Sequence, residues 1–139
     1  MRILIVEDEN VSRKKMEIIM DNFGITDAVA DGHAALGQFQ KAWQQKVPYD
    51  LICLDITLPE ITGIDVLLQI REEEKKMNLP RAKRAKVMMV TAHSDRDYIN
   101  TCVTAGCDGY IVKPYAKDTV VRCLRKIFTK YVSEVLTLD

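Results

Sequence analysis

The chain has no apolar run approaching the ~18 residues that a membrane-spanning helix requires. Its opening run, Ile3-Leu4-Ile5-Val6, stops at Glu7 and is too short for a secretory signal core. An excess of charge of either sign is also missing. Twenty basic side chains offset twenty acidic ones, which excludes broad electrostatic attachment to nucleic acid or to an anionic membrane. Cys53, Cys102, Cys107 and Cys123 form no CxxC pair, so buried thiols are expected rather than a disulfide or a metal site. There is no GxGxxG or GxxxxGK[ST] loop, no internal repeat and no low-complexity linker. A cytoplasmic, single-domain protein is expected. At 139 residues it would bury roughly two thirds of the surface its unfolded chain exposes.

What is present is an alternation of short apolar runs with helical stripes. Ile3–Val6, Leu51-Ile52-Cys53-Leu54 and Val87-Met88-Met89-Val90 are apolar at every position and too short for helices. Thr26–Ala30, with a charge inside it, suits an edge strand, and Tyr110-Ile111-Val112 is a short fifth strand. Between them run helical stripes: Val11, Met16, Ile19, Met20 and Phe23; Ala35, Leu36, Phe39, Ala42 and Trp43; Ile64, Leu67, Leu68 and Ile70; Tyr98, Ile99, Cys102 and Val103. A final stripe of Val120, Val121, Leu124, Ile127, Phe128 and Tyr131 closes the series. Asp31 is placed to cap the second helix, Ser94 with Asp97 reads as a capping box for the fourth, and Gly106 stops that helix. Five βα units with strands apolar on both faces predict an α/β fold, a parallel sheet covered by helices on both sides.

Ligands of such a sheet bind outside the carboxyl ends of the strands. The first run is followed by Glu7, Asp8 and Glu9, and the second by Asp55. Thr91 ends the third run, and Lys113 follows the fifth strand. Acids, a hydroxyl and an ammonium therefore converge on one rim. Two carboxylates about 5 Å apart repel by roughly 3 kcal/mol at an effective dielectric near 20. One lysine cannot balance three acids. A hard divalent ion fits the deficit, because the available ligands are all oxygens. The same acidic loop would repel the phosphate of a flavin or dinucleotide, which argues against those ligands.

Two stretches carry a resemblance. Asp55-Ile56-Thr57-Leu58-Pro59-Glu60-Ile61-Thr62-Gly63 and Ala105-Gly106-Cys107-Asp108-Gly109-Tyr110-Ile111-Val112-Lys113-Pro114 are similar to motifs of the receiver domain of two-component response regulators. The likeness runs from Arg2 to about Tyr131. It implies a flavodoxin-like (βα)5 domain over residues 1–131 with sheet order 2-1-3-4-5, and a C-terminal extension of the last helix, or a tail, over 132–139.

It also implies a phosphorylation-activated switch, with Asp55 accepting a phosphoryl group from a sensor histidine kinase or a histidine phosphotransfer protein. Mg²⁺ (or Mn²⁺) would be held by Asp8, Asp55 and the backbone carbonyl of Thr57, with Glu7 acting mainly through a metal-bound water. Lys113 would neutralise a phosphoryl oxygen, and the Lys113–Pro114 peptide is often cis in such proteins. Thr91, the N–H of Ala92 and Tyr110 would pass the signal to the face formed by the fourth helix, fifth strand and fifth helix. Thr57 and His93 would tune the lifetime of the phosphoryl group. A downstream protein target or output domain would read the result.

Such a protein would be no enzyme beyond its own phosphorylation and dephosphorylation. Two other classes compete: a receiver-shaped interaction module that never takes phosphate, and an Asp-nucleophile phosphatase. The phosphatase would want an acid where Thr57 stands. The charged segment Glu72-Glu73-Glu74-Lys75-Lys76, with Arg81, Lys83, Arg84 and Lys86, reads as a solvated helix end and loop. No aromatic residue interrupts its basic part to support stacking on bases.

Overall fold

The structure, a computed structural model, describes residues 1–136, with 129–136 described as backbone. Ten main elements alternate along the chain: β1 (Arg2–Val6), α1 (Asn10–Met20), β2 (Ile25–Val29), α2 (Gly32–Gln44), β3 (Leu51–Leu54), α3 (Gly63–Lys76), β4 (Lys86–Thr91), α4 (Arg96–Ala105), β5 (Gly109–Val112) and α5 (Lys117–Leu136). A short 3-10 turn, Arg81–Lys83, precedes β4. The five strands are parallel and ordered β2-β1-β3-β4-β5, as the sequence implied.

The fully apolar strands are explained by two cores rather than one. Side chains alternate between the faces of a strand. Leu4, Val6, Ile52, Leu54, Val87 and Met89 enter the core under α2, α3 and Cys102 of α4. Ile3, Ile5, Leu51, Cys53, Met88 and Val90 enter the core under α1 and α5. Each such side chain, removed from water, contributes about 1.5–3 kcal/mol before entropy is counted. β2, at the sheet edge, tolerates Asp27 because the Arg2 guanidinium (3.1 Å) and the Tyr49 hydroxyl (2.6 Å) both bond its carboxylate.

Several sequence expectations need correction. Val11, Leu68 and Val103 are at least half exposed, although each was placed on an apolar stripe. At about 100° per residue, Leu68 and Val103 are turned away from their buried neighbours Leu67 and Cys102. Val66, absent from the expected stripe, is buried instead. The Ser94–Asp97 capping box does not form: Asp95 is the N-cap of α4, and no side chain caps that helix. A capping box occurs on α3, where Thr62 and Asp65 bond each other's backbone N–H groups. Asp31 caps α2 through Ala34 N–H at 2.7 Å, and Gly106, at φ +103°, ends α4 in a conformation that favours glycine. The last helix runs on to Leu136, in keeping with an extension of that helix beyond Tyr131, and residues 137–139 lie outside the described chain. All four cysteines are free thiols.

The acidic run at the end of α3 is not wholly solvated. Glu74 is fully buried. Its carboxylate accepts from Arg71 Nη1 (2.7 Å) and from the backbone N–H of Ala85 (2.7 Å). Arg71 also bonds the carbonyls of Ala85 and Gly106 and the carboxylate of Asp108, which in turn accepts from Val87 N–H. This network ties α3 to the starts of β4 and β5. Trp43 of α2, half-buried, lines a hollow with Pro48, Tyr49 and Asp50 beside the amino ends of the strands. An Arg71→Met substitution leaves the Glu74 carboxylate buried without its cation. It should cost about 3–5 kcal/mol in urea denaturation, and Glu74→Gln, which keeps an acceptor for Ala85 N–H, should cost clearly less.

Candidate functional site

β1 and β3 are neighbours, so their carboxyl ends bring Glu7 and Asp55 side by side. Glu7 N–H still bonds Val29 O, and Asp55 N–H bonds Val6 O, so both residues hang on the last rungs of the ladder. Each is 5–6 % exposed, whereas Asp8, one residue on, is exposed. One carboxylate oxygen from each of Glu7, Asp8 and Asp55 lies within 4.8 Å of the others. Lys113, just past β5, is fixed by its N–H bond to Thr91 O. Its ammonium bonds Asp55 Oδ2 at 2.8 Å and also Glu7 Oε1. The Lys113–Pro114 peptide is cis.

Gly63 explains part of the motif that begins at Asp55. A Cβ there would lie 1.9 Å from the Asp55 carbonyl oxygen, while Gly63 N–H bonds Ile56 O at 2.8 Å. The start of α3 is thus packed directly on the backbone that carries Asp55, and no side chain fits between them. Thr57 N–H then bonds Asp55 Oδ1 at 3.2 Å and orients the carboxylate.

The electrostatics of the cluster are unequal. Burial, reinforced by the hydrogen bond and charge of Asp55, pushes Glu7 up to about 7. Burial also opposes the Asp55 charge, but hydrogen bonds from Glu7, Lys113 and Thr91 outweigh it and hold Asp55 below the usual carboxylate range. Burial opposes the charge of Lys113 as well, and the two carboxylates outweigh that and raise it. The two carboxyls are thus pushed in opposite directions, Glu7 up and Asp55 down, and titrate as a linked pair.

One atom is left over. Glu7 Oε2 is buried and has no hydrogen-bond partner. Glu7, Asp8 and Asp55 each offer one carboxylate oxygen to an all-oxygen donor set that fits a hard divalent cation such as Mg²⁺.

Thr91 ends β4 fully buried, and Ala92 is exposed beside it. The Thr57 hydroxyl and His93 Nε2 are hydrogen-bonded at 2.8 Å, across the mouth of the site. The His93 ring stacks on Tyr98 of α4, with centroids 4.2 Å apart, and the Tyr110 hydroxyl donates to the His93 carbonyl at 2.7 Å. Tyr110 is half-buried, and burial pushes its phenol up to about 12, so it stays a donor. Glu7, Asp8, Asp55, Thr91 and Lys113 thus stand at the rim as expected, with Tyr110 joined to it through the His93 backbone, whereas Glu9 is turned to Ser12 and takes no part in the acidic cluster. Sequence reading missed two contacts. Arg13 bonds the carbonyls of Glu7 and Asp8. Lys15 bonds the Tyr115 carbonyl at 2.6 Å and lies 4.1 Å from the centroid of that ring. Two basic residues in the first turns of a helix that follows an acidic loop were the available signal.

A parallel five-stranded sheet with buried acids and a lysine at one rim defines a receiver-type α/β protein. The chain belongs to the response regulator receiver domain family, whose model matches residues 3–125. It is 33% identical to the chemotaxis protein CheY of Pseudomonas aeruginosa over 132 residues, covering 94% of this chain and 98% of that one. It is 34% identical to chemotaxis protein CheY-3 of Vibrio cholerae, covering 94% and 93%. Among solved structures, a chain of the CheX–CheY–BeF3–Mg²⁺ complex from Borrelia burgdorferi matches with a TM-score of 0.79 at 29% identity, over 91% of this chain and 88% of that one.

The raised Glu7 gives a signed pH dependence. Between pH 4.5 and about 7 the folded, metal-free chain holds a proton that the unfolded chain has released. Stability from this group is present below that window and lost as pH rises through it. In EDTA, Glu7→Gln should gain on the wild type by a few kcal/mol at most as pH goes from 5 to 8. Urea denaturation at several pH values measures the gap, and a gap that stays constant contradicts the assignment.

Proposed function

We propose that this receiver domain, residues 1–131 with 132–139 as an extension, is a phosphorylation-activated signalling switch. Asp55 accepts a phosphoryl group from a phosphohistidine on a sensor histidine kinase or a histidine phosphotransfer protein. The observation that carries this reading is the Asp55 carboxylate itself: buried, yet held ionised, with Lys113 on one oxygen and Thr57 N–H on the other. A nucleophile of this kind needs orientation and partial charge neutralisation more than bond-making chemistry from its surroundings.

Asp55 Oδ forms a bond to phosphorus as the phosphorus–nitrogen bond breaks, and the departing electron pair returns to the imidazole nitrogen. Lys113 offsets the charge that gathers on the phosphoryl oxygens. Glu7, Asp8, Asp55 and the Thr57 carbonyl would hold Mg²⁺ or Mn²⁺. When bound, the ion supplies the positive charge that lets phosphate approach so acidic a rim. The chain is no enzyme in the sense of turning over an external substrate; it catalyses its own phosphorylation and dephosphorylation. It acts in the cytoplasm, and no helix among the described residues is long and apolar enough to cross a membrane.

Phosphorylation adds about two negative charges beside the buried Thr91 hydroxyl. Thr91 and the Ala92 N–H turn toward them. Because the Tyr110 hydroxyl is bonded to the carbonyl of His93, movement of the 91–93 segment is felt directly by β5. The α4–β5–α5 face then changes what it offers to a downstream protein target or output domain. Thr57 and His93 flank the path of attacking water and tune how long the phosphoryl group lasts.

Incubation with acetyl phosphate and Mg²⁺ should add one phosphoryl group by intact-mass spectrometry. Asp55→Ala should abolish it, and wild-type labelling in that variant would overturn the assignment. For the lifetime, Thr57→Ala and His93→Ala should each change the half-life of the phosphoryl group. Since the two side chains share one hydrogen bond, the double variant should change it no more than the larger single effect. Simple multiplication of the two effects would show that the contact is irrelevant to the lifetime.

A further inference from the structure

The turn between β1 and α1 presents Glu7 and Asp8 at the rim, and its own side-chain bond, from the Ser12 hydroxyl to Glu9 Oε2 at 2.6 Å, does not reach the Glu7 or Asp8 carbonyls. Glu9, the N-cap of α1, makes no side-chain cap hydrogen bond. Past Glu7 N–H the β1–β2 ladder ends, and the first helical bond is Arg13 N–H to Glu9 O. The carbonyls of Glu7 and Asp8 fall in the gap. Both are met by a single guanidinium nitrogen: Arg13 Nη1 donates to Glu7 O at 2.9 Å and to Asp8 O at 3.4 Å. Its other terminal nitrogen bonds Asn10 Oδ1.

The choice of partners is informative. Arg13 is half-buried and sits next to Glu7, Asp8 and Glu9, but no ion pair joins it to a carboxylate among the described residues. A cation placed for solubility or for simple charge balance would be expected to take an acidic side chain. This one bonds the backbone and leaves the acidic oxygens free. Glu7 Oε2, the buried oxygen without a partner, is one of them.

We infer that Arg13 is a positioning residue of the acidic site, acting through the Glu7 and Asp8 backbone to aim their carboxylates at a divalent cation. This rests on the reading of the rim as a Mg²⁺ site, and it adds the group that sets the spacing of the ligands. The role depends on the planar fork of arginine, which spans two carbonyls and a side-chain oxygen at once; a lysine point charge reaches fewer of them. Groups that orient metal ligands typically matter about 10- to 100-fold in metal affinity.

Arg13 also carries a charge that repels the ion, so the test must separate geometry from charge. Arg13→Lys keeps the charge and loses the fork. Lys14→Met removes a charge from the same helix turn, at a residue whose ion pair is with Glu17, without touching the carbonyls. Mg²⁺ affinity is measured by calorimetry on the full chain, and metal-free stability by melting in EDTA. Arg13→Lys should bind Mg²⁺ about tenfold more weakly with its EDTA melting point unchanged. Lys14→Met should bind no more weakly than the wild type. Wild-type affinity in Arg13→Lys, or a loss that only mirrors a lower melting point in EDTA, overturns the inference. Asp8→Asn is the control for the underlying reading. If it weakens binding while Arg13→Lys does not, the metal site stands and the positioning role falls. If neither Asp8→Asn nor Arg13→Lys alters Mg²⁺ binding, both fall.

Discussion

The rest of the molecule is organised around anions forced together at low exposure. Glu7 and Asp55 sit on adjacent strand ends because β1 and β3 pair, and the parallel ladder allows no other placement. Asp55 makes Glu7 harder to ionise while the hydrogen bond between them favours the Asp55 charge, and Lys113 bonds both. The result is a division of labour set by environment. The Asp55 carboxyl is held low, while Glu7 is pushed up and has an unpartnered oxygen. A site poised in this way responds strongly to any added charge, positive or negative, which is the property a switch needs.

The scaffold is rigid where the chemistry needs it and lightly held where a signal must pass. Asp55 is pinned from below by the ladder and from the side by the backbone of Gly63. The segment that follows Thr91 is attached by single contacts: Thr57 to the His93 ring, Tyr98 stacked on that ring, and the Tyr110 hydroxyl on the His93 carbonyl. Three elements thus meet at one residue between the acidic rim and α4. Packed β-strand ends deform little, whereas a loop held by a few separate hydrogen bonds has alternatives of similar energy.

The fold was legible in the sequence because both faces of the sheet are covered. Ile3–Val6, Leu51–Leu54 and Val87–Val90 have no polar position, and only a buried parallel strand reads that way. The rim was legible for a related reason: in a parallel sheet the residue after each strand has a fixed location. Helix faces were harder to read. Val11, Leu68 and Val103 are apolar, yet each faces solvent, Leu68 and Val103 by the step of about 100° from a buried neighbour. Glu74 failed in the opposite sense. Its place in a run of three glutamates suggested exposure, although its spacing from Leu67 and Ile70 put it on the buried side of α3. What no spacing could reveal was the long-range pairing of polar groups, such as Thr57 with His93 or Lys15 with Tyr115, which only the folded chain brings together.

The single tryptophan has a practical consequence. Trp43 lies in the hollow beside Pro48, Tyr49 and Asp50, at the far end of the strands from Asp55. Its emission will report loss of packing around α2 and stay silent through events among the acids. The molecule thus carries an intrinsic optical gauge of its integrity, decoupled from its chemistry, so a damaged variant can be told from an inert one in a single cuvette.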